Sequence, residues 1–426
     1  MLNERDRLNI LRAIRKLVLD KHINVANLDQ DYANWAALLD QCTPDLARAE
    51  DVQEFENGVR KILTALGSSH TAFFHASGGD VPPAHAINAT LRAADTTDGK
   101  RWMFLDVIED GLAHSAGIRP GELLLSSDSV ATLPPDSPRF RIGGAHTLVV
   151  GNWHGGQRRT VKLVIPDKTA KDRPPMIEPR SLSFRMLEHD IGYVRVATFP
   201  GAVGLDFAKA LDAAITELKA KGCERLIIDL RGNIGGGLGS LRLMSYLCHD
   251  KRSIGHSLTR RRLRRGYRKE ELLRIDRIPS SKAALFLMAL RFTLVHRDRS
   301  FVLATEGLGV QPFHGRSVIL TNEFTRSAAE MVASFARDNA LATLVGTATS
   351  GEVLGGANFK LPHGYRLRMP VAGWFNWSGD CIEGQGVPPH VRVDVSPESL
   401  ANGIDDQLQK AINTLNAQAT SVRAQA

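Results

Sequence analysis

The segment that decides the fold is RLIIDLRGNIGGG, residues 225–237. Its first part, Arg225 to Leu230, is almost continuously apolar, which is typical of a strand buried on both faces of a parallel sheet. The glycines Gly235–Gly237 predict a tight turn, because no Cβ atom blocks the approach of another group. Backbone N–H groups in such a turn can face one point and bind a phosphate or an oxyanion. On its own, the segment is equally consistent with an ordinary strand-to-helix turn.

The pattern around this segment alternates between strands and helices and predicts an α/β region over residues 176–415. Short apolar runs indicate strands, and a stripe with helical spacing that ends at a glycine indicates a helix. The strands are predicted at Ile191–Val196, Ser317–Leu320 and Ala342–Gly346, and the helices at Phe207–Leu218 and 327–339.

A second motif, TNEFTRSAAE at residues 321–330, follows a predicted strand and opens the next helix. Ser327 and Glu330 have the spacing of a capping box, in which a serine only caps the first turn of the helix. The same position places Ser327 beside the N–H groups and the positive end of that helix, which suits an oxyanion. From these residues alone, the capping role is the favoured interpretation.

The N-terminal residues 1–78 are predicted to form a helical domain. Apolar residues between Leu8 and Leu66 recur at helical spacing, and Gly67 is a suitable residue to end a helix. A short polar segment, Ser68-Ser69-His70-Thr71, follows this glycine. A lone histidine is more often structural than catalytic, although Ser69 is placed to orient His70 through a hydrogen bond.

Residues 86–168 have a different character, because short strand-like runs alternate with turn residues. The segment Ser115–Glu122, SAGIRPGE, resembles a turn found in PDZ domains, with Glu122 where aspartate is usual. A PDZ domain binds a peptide as an added strand at a sheet edge. The alternative interpretation is an unrelated small β-barrel insertion.

Composition and charge restrict the compartment and the partners. The chain has 426 residues and a formal charge of +8. Its first residues form no leader peptide and no apolar stretch is long enough to span a bilayer, so we expect a cytoplasmic protein without a membrane partner. Four cysteines lie far apart and predict neither disulfides nor metal ligands. The basic run 260–269 suits a solvated helix face better than nucleic acid, because it contains a single aromatic residue.

Together these motifs resemble the C-terminal-processing peptidase superfamily, which includes the tail-specific proteases and the tricorn core protease. The resemblance implies a multidomain α+β protein with a helical domain at 1–78, a PDZ-like domain at 86–168 and a crotonase-like α/β peptidase core at 176–415. It also implies that Ser327 is the nucleophile. The backbone N–H groups of Ala328 and of either Gly235 or Gly236 would then form the oxyanion hole.

One departure from the family pattern decides between its branches. The tail-specific branch has a lysine base in a turn that here reads Thr349–Val353, where Glu352 replaces the lysine. Lys360 is the nearest lysine, but it lies in a predicted strand of different register. The tricorn branch instead uses a histidine, the serine before it and a distant glutamate. The resemblance therefore implies a tetrad, with Glu352 as a weaker candidate for its acid: Ser327, His70, Ser69 and Glu383.

The expected function is the hydrolysis of peptides or unfolded proteins by a serine peptidase that needs no metal and no cofactor. One alternative is an inactive peptide- or ligand-binding protein on the same fold. The other is a crotonase-like acyl-CoA enzyme, which would leave the paired serine and histidine unexplained. Binding to nucleic acid is not expected, and homo-oligomerisation is left open.

Overall fold

The computed structural model describes residues 2–25, 32–167, 175–187, 190–201, 203–279, 281–294 and 300–425. Its N-terminal part consists of three helices followed by a strand. Asn3 and Asp6 form a capping box at the first helix, and Asp51 caps the third, which fixes where these helices begin. The elements are α1 (Glu4–Lys21), α2 (Ala33–Ala47), α3 (Val52–Thr64) and β1 (Ala72–His75).

A separate β-rich unit follows and encloses its own apolar core, which includes Phe104, Ile118 and Leu148. Five of its strands pair in the order β3-β4-β5-β8-β9, with β6 beside β5, while β2 and β7 form a small second sheet. The elements are β2 (Asp80–Val81), α4 (Pro83–Ala86), β3 (Ala89–Thr96), β4 (Gly99–Val107), α5 (Leu112–Ser115), β5 (Leu123–Ser127), β6 (Val130–Ala131), β7 (Phe140–Arg141), β8 (Ala145–Gly151) and β9 (Arg158–Val164).

The remaining residues form two further sheets and the helices that pack on them. The elements are β10 (Leu182–Met186), β11 (Ile191–Val196), α6 (Leu205–Ala220), β12 (Arg225–Asp229), α7 (Gly239–Leu247), β13 (Ser253–Thr259), α8 (Arg260–Arg265), β14 (Leu273–Ile275), α9 (Lys282–Leu294), β15 (Phe301–Ala304), β16 (Ser317–Thr321), α10 (Ala328–Asp338), β17 (Thr343–Gly346), β18 (Gly355–Lys360), β19 (Tyr365–Asn376), β20 (Val391–Arg392), α11 (Pro397–Ala401) and α12 (Asp406–Gln425).

The central sheet contains the apolar strand β12. Its order is β10-β11-β12-β16-β17-β20, and all its pairs except β10–β11 are parallel. Ile228 packs in the core that contains α6, α7 and α10, whereas Ile227 packs in the core under α12. Because both faces are covered, the continuous apolar run of β12 has a physical reason.

The second large sheet joins the beginning of the chain to its end. Its order is β1-β19-β13-β15-β14, with β18 also paired to β19. Strand β1 lies antiparallel to β19, with Ala72 opposite Arg368. Apolar residues of α1–α3 pack on Leu367 and Met369 of the same strand. The N-terminal helices therefore pack on a sheet that the C-terminal half builds.

Residues 260–265 of the basic run form α8, none of whose residues is buried. Arg260 is tied down, because its guanidinium donates to the backbone oxygen of Leu19 and lies over the ring of Tyr32. Within the described part of the chain, no helix combines the length and the apolar character that crossing a bilayer requires.

Candidate active site

Ser327 lies at the start of α10, where the loop after β16 enters the helix. Its backbone has φ 55° and ψ −120°, a conformation that costs a non-glycine residue about 1–3 kcal/mol. Two acceptors hold it there, because the Ser327 N–H faces Glu330 Oε2 at 3.0 Å and the backbone oxygen of Glu352 at 2.9 Å. This strained turn presents the serine at the end of the central sheet.

The carboxylate of Glu330 organises the loops around Ser327. It accepts from the hydroxyl of Thr349 at 2.6 Å and from the backbone N–H groups of Gly351 and Glu352 at 2.6 and 2.8 Å. Burial raises the pKa of Glu330, and these hydrogen bonds oppose that rise. The sequence pattern predicts only a capping role for Glu330, because its contacts with Thr349 and Glu352 join segments that are distant in the chain.

The glycine turn approaches Ser327 very closely. A Cβ atom on Gly235 would lie 2.5 Å from Ser327 Cβ, and one on Gly236 would lie 1.9 Å from the backbone oxygen of Phe199. Both glycines have positive φ, 87° and 139°. Only residues without a side chain fit at these two positions.

The structure distinguishes the two glycines as hydrogen-bond donors. The Gly235 N–H already donates to Asn233 Oδ1 at 2.7 Å, whereas Asn233 Nδ2 donates to the backbone oxygen of Val196. Among the described residues, no acceptor faces the N–H groups of Gly236 and Ala328. These two groups are therefore available to an oxyanion. Gly235, which has no side chain, allows the turn to approach Ser327.

His70 follows directly after Ser69 and is held by it. Ser69 Oγ lies 2.8 Å from His70 Nδ1, which leaves Nε2 without this partner. Burial is the main reason that the pKa of His70 falls to about 3, and the nearby guanidinium groups of Arg368 and Arg326 lower it further. The imidazole is consequently neutral at neutral pH and able to accept a proton.

Glu383 reaches the Ser69 turn, but through the backbone. Its Oε1 accepts from the Ser69 N–H at 3.1 Å and its Oε2 accepts from the Val353 N–H at 2.8 Å. Glu352, the weaker candidate for the acid, instead pairs with Arg326 at 3.5 Å. Glu383 thus joins the His70 segment to the loop that supports Ser327.

Ser327 and His70 line one cavity of about 970 Å³, together with Gly235, Gly236 and Glu352. Ser69 and Glu383 stand behind His70 rather than in the cavity wall. The hydrogen bonds of the described residues do not include one between Ser327 and His70. Such contacts are often long without substrate and shorten in the Michaelis complex.

Buried ion pairs support the glycine turn from behind. Asp229, at the end of β12, accepts from Tyr193 at 2.7 Å, from Arg195 at 2.8 Å and from Arg231 at 2.7 Å. Burial alone would raise the pKa of Asp229, but the attraction of Arg231 and Arg195 outweighs it and the pKa lies far below its usual value. Asp405 binds Arg231 from the start of α12. These contacts fix the turn relative to the strands.

Asp106 connects the β-rich unit to both motifs. It accepts from Thr90 at 2.6 Å and from Asn322 Nδ2 at 2.9 Å. Asn322 Oδ1 in turn accepts from the Gly232 N–H at 3.0 Å. Burial raises the pKa of Asp106, although Arg195 opposes the rise. This role of Asp106 could not be predicted from the sequence, because nothing in its own strand indicates a partner far along the chain.

The sequence of the chain is similar to those of known peptidases. The model of peptidase family S41 matches residues 190–393. Over 403 residues, 89% of the chain, the sequence is 24% identical to a putative tricorn protease homolog 2 of Streptomyces coelicolor. Over 361 residues, 82% of the chain, it is 25% identical to the carboxy-terminal processing protease CtpA of Bacillus subtilis. The chain spans 30% of the length of the first relative and 66% of the second.

Solved structures show the same fold. A photosystem II D1 C-terminal processing protease superposes with a TM-score of 0.53 at 18% identity, covering 94% of this chain and 98% of that protein. Mature CPAF in complex with lactacystin superposes with a TM-score of 0.58 at 15% identity, covering 99% of both chains. In the described residues, no cluster of three or more histidine, cysteine or acidic side chains is arranged to hold a metal ion.

Proposed function

Because the chain belongs to peptidase family S41, we propose that it is a serine endopeptidase of the C-terminal-processing type that forms an acyl-enzyme on Ser327. The observation that carries the proposal is the shared cavity, in which the Ser327 side chain, the imidazole of His70 and the Gly236 turn meet. The close approach of Gly235 to Ser327 also supports the proposal, because it brings the backbone of the glycine turn next to the serine.

In the proposed reaction, His70 Nε2 removes the hydroxyl proton of Ser327 while Oγ attacks the peptide carbonyl. The N–H groups of Gly236 and Ala328 hold the negative charge that develops on the carbonyl oxygen. His70 then donates the proton to the leaving amine, and the C–N bond breaks. Water, activated by the same imidazole, hydrolyses the acyl-enzyme and restores the serine.

Ser69 and Glu383 complete the proposed tetrad as positioning residues. The Ser69 hydroxyl fixes the orientation of the His70 ring through Nδ1. Glu383 fixes the Ser69 backbone and adds a negative charge behind the ring, which favours the imidazolium of the transition state. Glu352 has a lesser part, because its carboxylate faces Arg326.

The remaining expectations from sequence belong to the same proposal. They comprise a PDZ-like domain at 86–168 that presents peptide or unfolded-protein substrates, a crotonase-like core at 176–415 and a helical domain at 1–78 that carries the Ser69–His70 pair. The paired strands and separate core of the β-rich unit support its treatment as a domain. A cytoplasmic location is proposed as well, and the oligomeric state is left to measurement.

A serine-reactive phosphonate probe tests the proposal. We expect it to label the protein once per chain, and we expect Ser327→Ala to abolish both labelling and peptide hydrolysis while the circular dichroism spectrum is unchanged. Labelling that persists in this variant would place the nucleophile elsewhere. A protein that binds peptides without labelling or hydrolysis would instead be a binding protein on this fold.

A further inference from the structure

The wall of the cavity is rich in guanidinium groups, and one of them differs from the rest. Of the described residues, four arginines line the cavity: Arg60, Arg139, Arg326 and Arg368. Three of these have acceptors within the protein. The contacts are Arg60 with Glu56 at 2.5 Å, Arg326 with Glu352 at 3.5 Å, and Arg139 with the backbone oxygen of Asp80 at 2.6 Å.

Among the residues that the structure describes, no acceptor faces the Arg368 guanidinium. Burial lowers the pKa of its guanidinium, and no carboxylate of the described residues raises it. Arg368 is a half-buried cation, and a partly desolvated charge without a protein partner that lines a cavity is a candidate for binding a ligand. Its position beside His70 is also costly, because Arg368 is the nearby charge that most disfavours a protonated imidazole there.

The strand register directs Arg368 into the cavity. On β19 it lies opposite Ala72 on one side and Asn358 on the other. The flanking residues Leu367 and Met369 point into the apolar core under α1–α3. Since successive side chains alternate between faces, Arg368 projects from the opposite face, and Ala72 and Asn358 line the cavity with it.

A glycine makes room for the guanidinium. A Cβ atom at Gly356 would lie 3.0 Å from Arg368 Nε and 3.3 Å from one of its terminal nitrogens. The planar group is thus confined over the backbone of β18, with donors left over for a planar, bidentate acceptor. Carboxylates fit this geometry better than any other group in a peptide.

We propose that Arg368 binds a carboxylate of the substrate, so that the peptides cleaved best carry an acidic side chain or a free C-terminus within reach of this guanidinium. The inference rests on the proposed peptidase function and specifies its substrate class. A carboxylate bound there also offsets the positive charge beside His70. The contact therefore strengthens as His70 becomes protonated, and it raises kcat as well as lowering KM.

Matched peptides test this inference. An internally quenched peptide is prepared with Glu, Gln or Lys at each position around the scissile bond, and each version carries either a free or an amidated C-terminus. We expect one acidic position, or the free C-terminus, to raise kcat/KM at least about tenfold over the neutral peptide, as for a hydrogen bond to a charged group. Scanning the positions separates a side chain from a chain end as the source of the carboxylate.

Variants assign the preference to this residue. Arg368→Gln should reduce the acidic-to-neutral ratio to about one, Arg368→Lys should retain part of it, and Arg368→Glu should favour the Lys peptide. The control is Lys360→Gln, which removes the same charge from the exposed end of the neighbouring strand β18. That variant should keep the full preference.

Binding measurements keep this inference separate from the proposed function. In Ser327→Ala, fluorescence anisotropy compares the Glu and Gln peptides without hydrolysis, and the added change Arg368→Gln should abolish the difference in affinity. Equal rates and equal affinities for both peptides, with phosphonate labelling intact, would overturn the role of Arg368 and leave the peptidase standing. Loss of phosphonate labelling with a preserved difference in affinity would overturn the proposed peptidase and leave the role of Arg368 standing.

Discussion

At the scale of the residue, the protonation state of His70 determines the pH range in which the proposed mechanism can operate. A lone imidazole in water has a pKa of about 6.5, but burial and two guanidinium groups lower that of His70 to about 3. In the proposed mechanism, the neutral ring is the form that accepts the serine proton. A lowered pKa means that this form persists until the solution becomes strongly acidic.

This shift predicts an unusual pH profile for the proposed peptidase. With a neutral substrate, kcat/KM should stay nearly constant from about pH 5 to pH 8, because the pKa of His70 lies well below this range. Steady-state rates in buffers of constant ionic strength check this. An acid limb centred near pH 6.5 would contradict the assignment of His70 as a buried base.

Gly235 gives a second prediction, with a matched control. Gly235→Ala places a Cβ atom 2.5 Å from Ser327 Cβ at φ 87°, so we expect a loss of at least about 100-fold in kcat as the oxyanion donors move. Gly222→Ala has nearly the same backbone, φ 85°, but meets nothing within 4 Å. Both variants pay for backbone strain, and rate assays should show that Gly222→Ala keeps its activity.

At the scale of the element, the first turn of α10 is important because its Glu330 side chain connects Ser327 to a neighbouring loop. Glu330 binds both the Ser327 N–H and the loop at 349–352. Glu54 occupies the equivalent third position of α3, where it is exposed. The two glutamates therefore occupy the same helical position, one buried and the other exposed, and the same substitution can be compared at both.

Glu330→Gln should lower kcat by about 100-fold, since a buried amide cannot accept every hydrogen bond that the carboxylate accepts and the loop shifts. Glu54→Gln should leave kcat within about twofold, because exposed caps contribute little beyond local helix stability. Single-turnover rates measure the effect on the chemical step. Similar rates for both variants would show that Glu330 is only a cap.

The loop that carries Glu383 gives the next prediction. Glu383→Gln removes the charge that fixes Ser69 and should reduce kcat by at least about tenfold, whereas Glu352→Gln, which loses a half-exposed ion pair, should cost less than about threefold. Parallel rate measurements on the two variants give the ranking. The reverse order would transfer the acidic role to Glu352.

Particular residues show which features of the fold and site the local sequence pattern could predict and which it could not. Buried strand β12, the helix after Ser327 and the Ser69–His70 pair were all predictable, because each depends on neighbours in sequence. Which of the two glycine N–H groups already has an acceptor was not, because the answer depends on the position of the Asn233 side chain. Arg368 could not be predicted for a similar reason. Its importance depends on the absence of an acceptor among the described residues, in a cavity that only the folded chain forms.

At the scale of the whole molecule, buried neutral histidines link stability to acid. Burial lowers the pKa of His22 to about 4, with a smaller contribution from Arg260, and its ring bonds Tyr32 and Ser68. The unfolded chain takes up this proton near pH 6.5, whereas the folded chain takes it up only near pH 4. Acid therefore favours unfolding, and the loss is greatest between those two values.

For His22 alone, the free energy of unfolding should fall by about 2 kcal/mol between pH 7 and pH 5. Urea unfolding at both pH values measures this, and His22→Gln should lose that part of the pH dependence even though it is less stable overall. A variant with the same slope as the wild type would show that folding does not lower the pKa of His22.

The pairing of β1 with β19 has a consequence for how the protein is made. His70 is synthesised early, but the strand that supports it spans residues 365–376, and the glutamate that holds its neighbour is residue 383. Contacts of such long sequence separation form last, when the distant segment has left the ribosome. In the proposed peptidase, the cleft that joins His70 to Ser327 therefore assembles only after residue 383 has been translated.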